Sequence, residues 1–102
     1  MVDLKELQKK VYENKLAHGF NVTNMEMEFC LILTELGEAY HAFALETKEA
    51  FAEELADVAI YLLGLSEIAG VDLESEILKK METNRNRKYR PLGNGHMRKE
   101  ES

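Results

Sequence analysis

Apolar residues return every three or four positions along most of the chain, which is the spacing of helices that bury one side. The pattern predicts one helix from Asp3 to about His18, a turn through "HGFNVTN", and a second helix from about Asn24 to Leu45. A third begins after Thr47 as N-cap and ends before Gly70, and Asp72 caps a fourth. Glu74 and Glu76 fall in the first turn of that fourth helix, where the helix dipole favours acids, with Lys79 and Lys80 further along. A single proline, Pro91, and few runs of β-branched residues leave little to interrupt helices, so the fold class is all-α. The third helix is apolar on nearly every side from Val58 to Leu65, more surface than a lone four-helix unit can cover. A homodimer or homotetramer is therefore expected.

Charge enters this pattern in an unusual place. Ile32, Leu36, Ala39 and Phe43 share one face of the second helix, and Glu35 falls between them and Leu31 and Ala42. On the third helix Glu54 and Asp57 are interleaved with Val58, Tyr61, Leu65 and Ile68, residues that read as core. Two acidic pairs, Glu35 with Glu38 and Glu54 with Asp57, are thus expected to point inward. An unpaired carboxylate taken out of water costs several kcal/mol, so it must find a cation, a donor or a proton. Basic partners are few in these two helices, where Lys48 sits at the boundary. The i, i+3 spacing sets the acids of each pair about 5 to 6 Å apart on one face, close enough to grip a common ion. All-oxygen sites of this kind select hard cations such as Mg²⁺, with Mn²⁺ as a substitute, and leave positions open for water and phosphate. Against this stands the frequency of Glu-x-x-Glu by chance in a chain with 19 acids, where either pair alone reads as solvated surface.

Composition narrows the partners. At 102 residues the chain is one domain with a modest core, and a second copy would add burial. The net charge of -6 is unevenly spread, because the acids crowd the first 78 residues and the bases gather from Lys79 onward. An acidic body excludes nonspecific binding of DNA or RNA, which needs a basic surface. A basic segment beside an acidic cluster suits a small anionic ligand that arrives with a metal ion. One cysteine, Cys30, permits no internal disulfide, and no basic-then-apolar leader or long apolar run is present, so a soluble cytoplasmic protein without membrane contact is expected. The helical domain is expected over residues 1–90, with "RPLGNGHMRKEES" reading as a flexible basic and polar tail over 91–102.

Glu35-Leu-Gly-Glu38 and Glu54-Leu-Ala-Asp57 resemble the signature of the MazG-like all-α nucleoside triphosphate pyrophosphohydrolases, Glu-x-x-Glu on one helix and Glu-x-x-Asp on the next. The similarity runs from about residue 20 to 90, and "ELADVAIYLLGLSEIAGVDLESEILKKMETNRNRKY" is most similar to the dCTP pyrophosphatase branch. The resemblance implies a four-helix bundle packed with the helices of a partner subunit. It also implies Mg²⁺ held by Glu35, Glu38, Glu54 and Asp57, and hydrolysis of a nucleoside triphosphate to a monophosphate and pyrophosphate in nucleotide pool house-cleaning. By the same match Glu38 is the catalytic carboxylate. Lys80, Asn84 and Arg87 or Lys88 would contact phosphates or sugar, and Tyr61 would lie near the sugar or base. "NRNRK" also reads as a solvated helix end complementing its dipole. Related dCTP enzymes use tryptophan in the base pocket, and this chain has none. His18 or Phe20 falls in that stretch, though His18 equally suits a helix end and Phe20 a core anchor. The base preference, with dCTP as the leading candidate, is left open by this departure. Thr34 stands where the family often shows a further glutamate, a subgroup variation.

Two other classes fit parts of the sequence. Glu38-Ala-Tyr-His41 is a Glu-x-x-His, but a di-iron carboxylate bundle needs two such motifs on different helices. A non-catalytic helical oligomeric interaction module would leave the acids on the surface and show no metal response.

Overall fold

Four polar side chains start the four helices. In the computed structural model, which describes residues 2–91 and 97–100, the side chains of Asp3, Asn24, Thr47 and Asp72 accept the backbone N–H three residues on, from Glu6, Met27, Ala50 and Ser75. Each bond satisfies one of the orphan donors of a helix N-terminus, and the bounds follow: α1 Leu4–Ala17, α2 Met25–Leu45, α3 Lys48–Ala69 and α4 Leu73–Asn86. Gly70 ends α3 in the left-handed region at φ 72°, and the next N–H, from Val71, bonds back to the Ser66 carbonyl at 2.9 Å. The expected order and limits of the helices hold, and the fold is an all-α four-helix arrangement.

The link Glu46–Thr47 folds α2 and α3 into a hairpin, which is the main packing contact of the chain. α2 presents small residues to that seam: Ala39 and Ala42 are 2% and 1% exposed. Close approach at the alanines turns bulkier neighbours outward, so Leu36 and Phe43, expected in the core, lie 51% and 66% exposed. α1 packs across α3. Its buried Gln8 ties the far end of the bundle together, donating from Nε2 to Glu67 Oε1 at 2.9 Å and the Val71 carbonyl at 2.7 Å, while its Oε1 accepts from the Leu73 N–H. α4 rests chiefly against α1, through Leu4 N–H to Glu74 Oε1 and Lys5 to Asp72, and buries no residue of its own.

Strands β1 (Lys88–Pro91) and β2 (Met97–Glu100) then pair antiparallel, with Lys88 opposite Glu100 and Pro91 opposite Met97. β2 and Pro91 fall in the segment over 91–102 that the composition marks as a tail, whereas Lys88, Tyr89 and Arg90 of β1 fall at the end of the expected helical domain, which is therefore not helical to its last residue; residues 92–96 and 101–102 lie outside the described residues.

The core is thin. Among the described residues Ala39, Ala42 and Leu63 are the buried apolar side chains, whereas Phe29, Leu33, Tyr40, Leu62, Leu78 and Met81 are all exposed. The accessible surface is 7981 Å². A compact chain of 11.7 kDa exposes about 5,900 Å². The radius of gyration of 16.7 Å likewise exceeds the roughly 13 Å of a compact domain this long. No helix among the described residues is long and apolar enough to cross a membrane.

Candidate active site

The i, i+3 acids of α2 and α3 meet across the hairpin seam. Glu35, Glu38 and Glu54 each place a carboxylate oxygen within 4.8 Å of the others. Glu35 and Glu54 face inward, half-buried, and Glu35 Oε2 and Glu54 Oε2 are shielded from solvent without a hydrogen-bond partner. Glu38 and Asp57 lie on the open side, so the expectation that both members of each pair point inward holds for one acid of each. Asp57 stands outside the 4.8 Å group, yet its charge acts on both buried acids.

The electrostatics record the crowding. Burial, then the nearby Glu38 and the other acids, pushes the Glu35 carboxyl up from 4.5 to about 7. Burial and Glu38 also raise Glu54. Two shielded carboxylate oxygens without donors need a proton or a cation between them, and the donor set is all oxygen. The residues therefore fit a hard divalent ion.

Beside the cluster, between α1 and α3, opens a cleft of about 350 Å³ whose walls include Val11, Asn14, Phe20, Ile60 and Tyr61, with Asp57 at its acidic end. Val11, Phe20, Ile60 and Tyr61 supply its apolar surface, and Lys10, Asn14, Lys15 and Asp57 are the polar members of its lining. Tyr61 is half-buried, and burial together with Glu35, Asp57, Glu28 and Glu38 raises its hydroxyl, which stays protonated at neutral pH. Phe20 is exposed at the cleft and stacks on His18 with ring centroids 5.4 Å apart. His18 caps the C-terminal end of α1, its Nδ1 against the Asn14 carbonyl, which is its helix-end reading, and it does not itself line the cleft.

The basic residues sit elsewhere. Lys80 lines a shallow groove formed by α4 residues, with Leu73, Glu76, Ile77, Lys79 and Thr83. Asn84 Oδ1 accepts from Arg87 at the end of α4, and Lys88 follows in β1. Within one chain, then, the acids, Tyr61 and Phe20 border a common region, and Lys80 lines a separate groove. His41 bonds Glu46 at 2.9 Å and takes no part in the acidic cluster.

Sequence reasoning missed one prominent feature. Lys15 of α1 and Glu28 of α2 form a buried ion pair at 2.6 Å, 6% and 0% exposed, behind Tyr61. Their separation of 13 residues across a turn matches no helical spacing, so no pattern in the sequence points to it.

A four-helix chain whose two central helices face each other through Glu-x-x-acid motifs defines an all-α carboxylate site of the kind that holds divalent metal. The sequence matches the MazG-like family over residues 20–101, and the chain belongs to that family. Among solved structures it is similar to a cyanophage S-2L MazG-like pyrophosphohydrolase bound to dGDP and three catalytic Mn²⁺ ions per active site. The TM-score is 0.76 at 26% identity, over 99% of this chain and 96% of that one. No curated protein matches the sequence.

Proposed function

We propose that the protein is a divalent-metal-dependent pyrophosphohydrolase that converts a nucleoside or deoxynucleoside triphosphate to its monophosphate and pyrophosphate. The observation that carries this reading is the pair of shielded, partnerless oxygens on Glu35 and Glu54 with Glu38 beside them. Family membership and a nucleotide-bound, Mn²⁺-bound structural relative support it. Glu35, Glu38, Glu54 and Asp57 would hold Mg²⁺ or Mn²⁺. When bound, such an ion neutralises triphosphate charge and lowers the pKa of water. Glu38, on the open side of the cluster, accepts the proton of the attacking water. The α1–α3 cleft takes the nucleoside, with Phe20 and Tyr61 against its rings and Asp57 marking the phosphate end.

The phosphate contacts proposed for Lys80, Asn84, Arg87 and Lys88 need α4 from another copy, since in one chain Lys80 lines a different groove. The surplus surface and the exposed Ile77, Leu78 and Met81 of α4 support a homo-oligomer, dimer or tetramer, that brings it there. dCTP preference is one option for a base pocket without tryptophan, and dGTP is the natural comparison, given the dGDP-bound relative. A panel of canonical and modified triphosphates with Mg²⁺ or Mn²⁺, scored for monophosphate and pyrophosphate, tests the reading. Release of orthophosphate alone, or no cleavage, refutes it and favours the interaction module.

A further inference from the structure

The Lys15 side chain leaves α1, crosses α3 at Gly64 and ends on Glu28 of α2, joining three helices. A Cβ at Gly64 would lie 3.2 Å from Lys15 Cδ, so the glycine is what lets the stem pass. Lys15 Nζ bonds Glu28 Oε1 at 2.6 Å, and Asn21 Nδ2, from the α1–α2 turn, donates to Glu28 Oε2 at 3.0 Å. The ammonium also lies 5.5 Å from the centroid of the Tyr61 ring, within cation–π range.

This pair has a fixed relation to the acidic cluster. On α2, Glu28 precedes Glu35 by seven residues; on antiparallel α3, Tyr61 follows Glu54 by seven. Both steps are two helical turns on the same face, so the Glu28–Tyr61 level lies about 10 Å along the seam from the Glu35–Glu54 level. Lys15 is also a wall of the nucleoside cleft. Its charge is matched by Glu28 and withdrawn from water, which makes it a poor phosphate ligand.

A buried ion pair is no general source of stability, because apolar residues of similar volume commonly do as well or better. What it supplies that they do not is direction. We propose that Lys15 and Glu28 are positioning residues for the nucleotide site: together they set the Tyr61 ring and the α1 wall of the cleft at a fixed distance from the acidic cluster. The ligand rests on the proposed function; the clamp itself rests on the geometry. Small displacements of substrate-positioning groups cost large factors in turnover or affinity, so a loosened wall should register in substrate binding.

The test is the double variant Lys15→Met with Glu28→Met, which keeps volume and leaves no buried charge alone. We expect it to fold with a Tm equal to or above wild type and to keep the Mn²⁺-induced rise in Tm, because the cluster is untouched. Its KM for dCTP and for dGTP with Mn²⁺ should rise about tenfold, with kcat changed less than threefold. Gly64→Val, which keeps both charges but displaces the Lys15 stem, should raise KM in the same direction. A folded double variant with KM within twofold of wild type, or a Gly64→Val protein that loses Tm with KM unchanged, overturns the positioning role. Wild-type protein that cleaves neither nucleotide overturns the proposed function instead.

Discussion

Replacing Glu35 with Gln should make the metal-free protein more stable and the metal-treated protein less so. Glu35 shares a space in which three carboxylate oxygens lie within 4.8 Å. At that separation two unit charges repel by about 0.9 kcal/mol in water and about 3.5 kcal/mol at an effective dielectric of 20. The cluster is open on the Glu38 side, so the lower figure governs, and because Glu35 has two such neighbours, removing its charge should add about 1 to 2 kcal/mol at pH 8. For a domain of this size that is roughly 4 to 16 °C in Tm. The sign with pH follows from the raised carboxyl. A group near 7 when folded and 4.5 when unfolded contributes stability that is full below 4.5 and lost as pH rises through 7. Metal-free wild type should therefore soften across that window, and Glu35→Gln should flatten the slope. Metal binding runs the other way, because only the ionised cluster grips a cation. At a hundredfold excess of Mn²⁺ over Kd the gain is about 2.7 kcal/mol, or on the order of 10 to 20 °C. Thermal melts from pH 5 to 8.5, in chelator and in Mn²⁺, read all of this. An equal Mn²⁺ response in Glu35→Gln, or a lower metal-free Tm than wild type at pH 8, would show the four-carboxylate site to be wrong.

Glu38→Gln should lower kcat by roughly a hundredfold or more while the protein still folds, measured as pyrophosphate release. Lys80→Ala should raise KM about tenfold and leave the Mn²⁺-induced Tm shift intact, because it meets phosphate and not the ion. Light scattering at micromolar concentration should report a multiple of 11.7 kDa, and a monomer would contradict the oligomer that the exposed apolar surface implies. Gly70→Ala forces a side chain into φ 72° and should cost about 1 kcal/mol, seen as a Tm lower by roughly 4 to 8 °C.

The helix limits were legible because each rests on a local signal: Asp3, Asn24, Thr47 and Asp72 cap with their own side chains, and Gly70 accepts the left-handed turn that ends α3. The meeting of Glu35, Glu38 and Glu54 was legible in part, from two i, i+3 pairs set among apolar residues, but the spacing did not tell that Glu38 and Asp57 lie on the open side or that Asp57 stands outside the close group. Which apolar residues are buried was not. Leu36 and Phe43 carry the same periodicity as Ala39 and Ala42, and hydrophobic spacing marks every face that leaves water, whether it meets this chain or another. The β1–β2 pairing was hidden by "PLGNG", whose composition suits a hairpin turn and a tail alike. Lys15 and Glu28 each look like surface residues in their own helix, and only the crossing of α1 over α3 puts them in contact.

Gln8 has a bearing on how far a change in one part of the molecule can travel. Its single amide holds the α3–α4 corner by three bonds, two donated to Glu67 and Val71 and one accepted from Leu73, and beside the Leu4–Glu74 and Lys5–Asp72 contacts it is the buried pin on which the start of α4 turns. Gln8→Glu would exchange the donating half for a second carboxylate oxygen, set against Glu67 and the Val71 carbonyl. The acidic cluster would be untouched, yet the helix that carries Lys80 would lose its bearing. Hydrogen exchange along residues 73–86 would then quicken without any change at Glu35 or Glu54. Any fusion or trimming of the first turn of α1, which supplies the neighbouring Leu4 and Lys5 contacts, acts on the same pin.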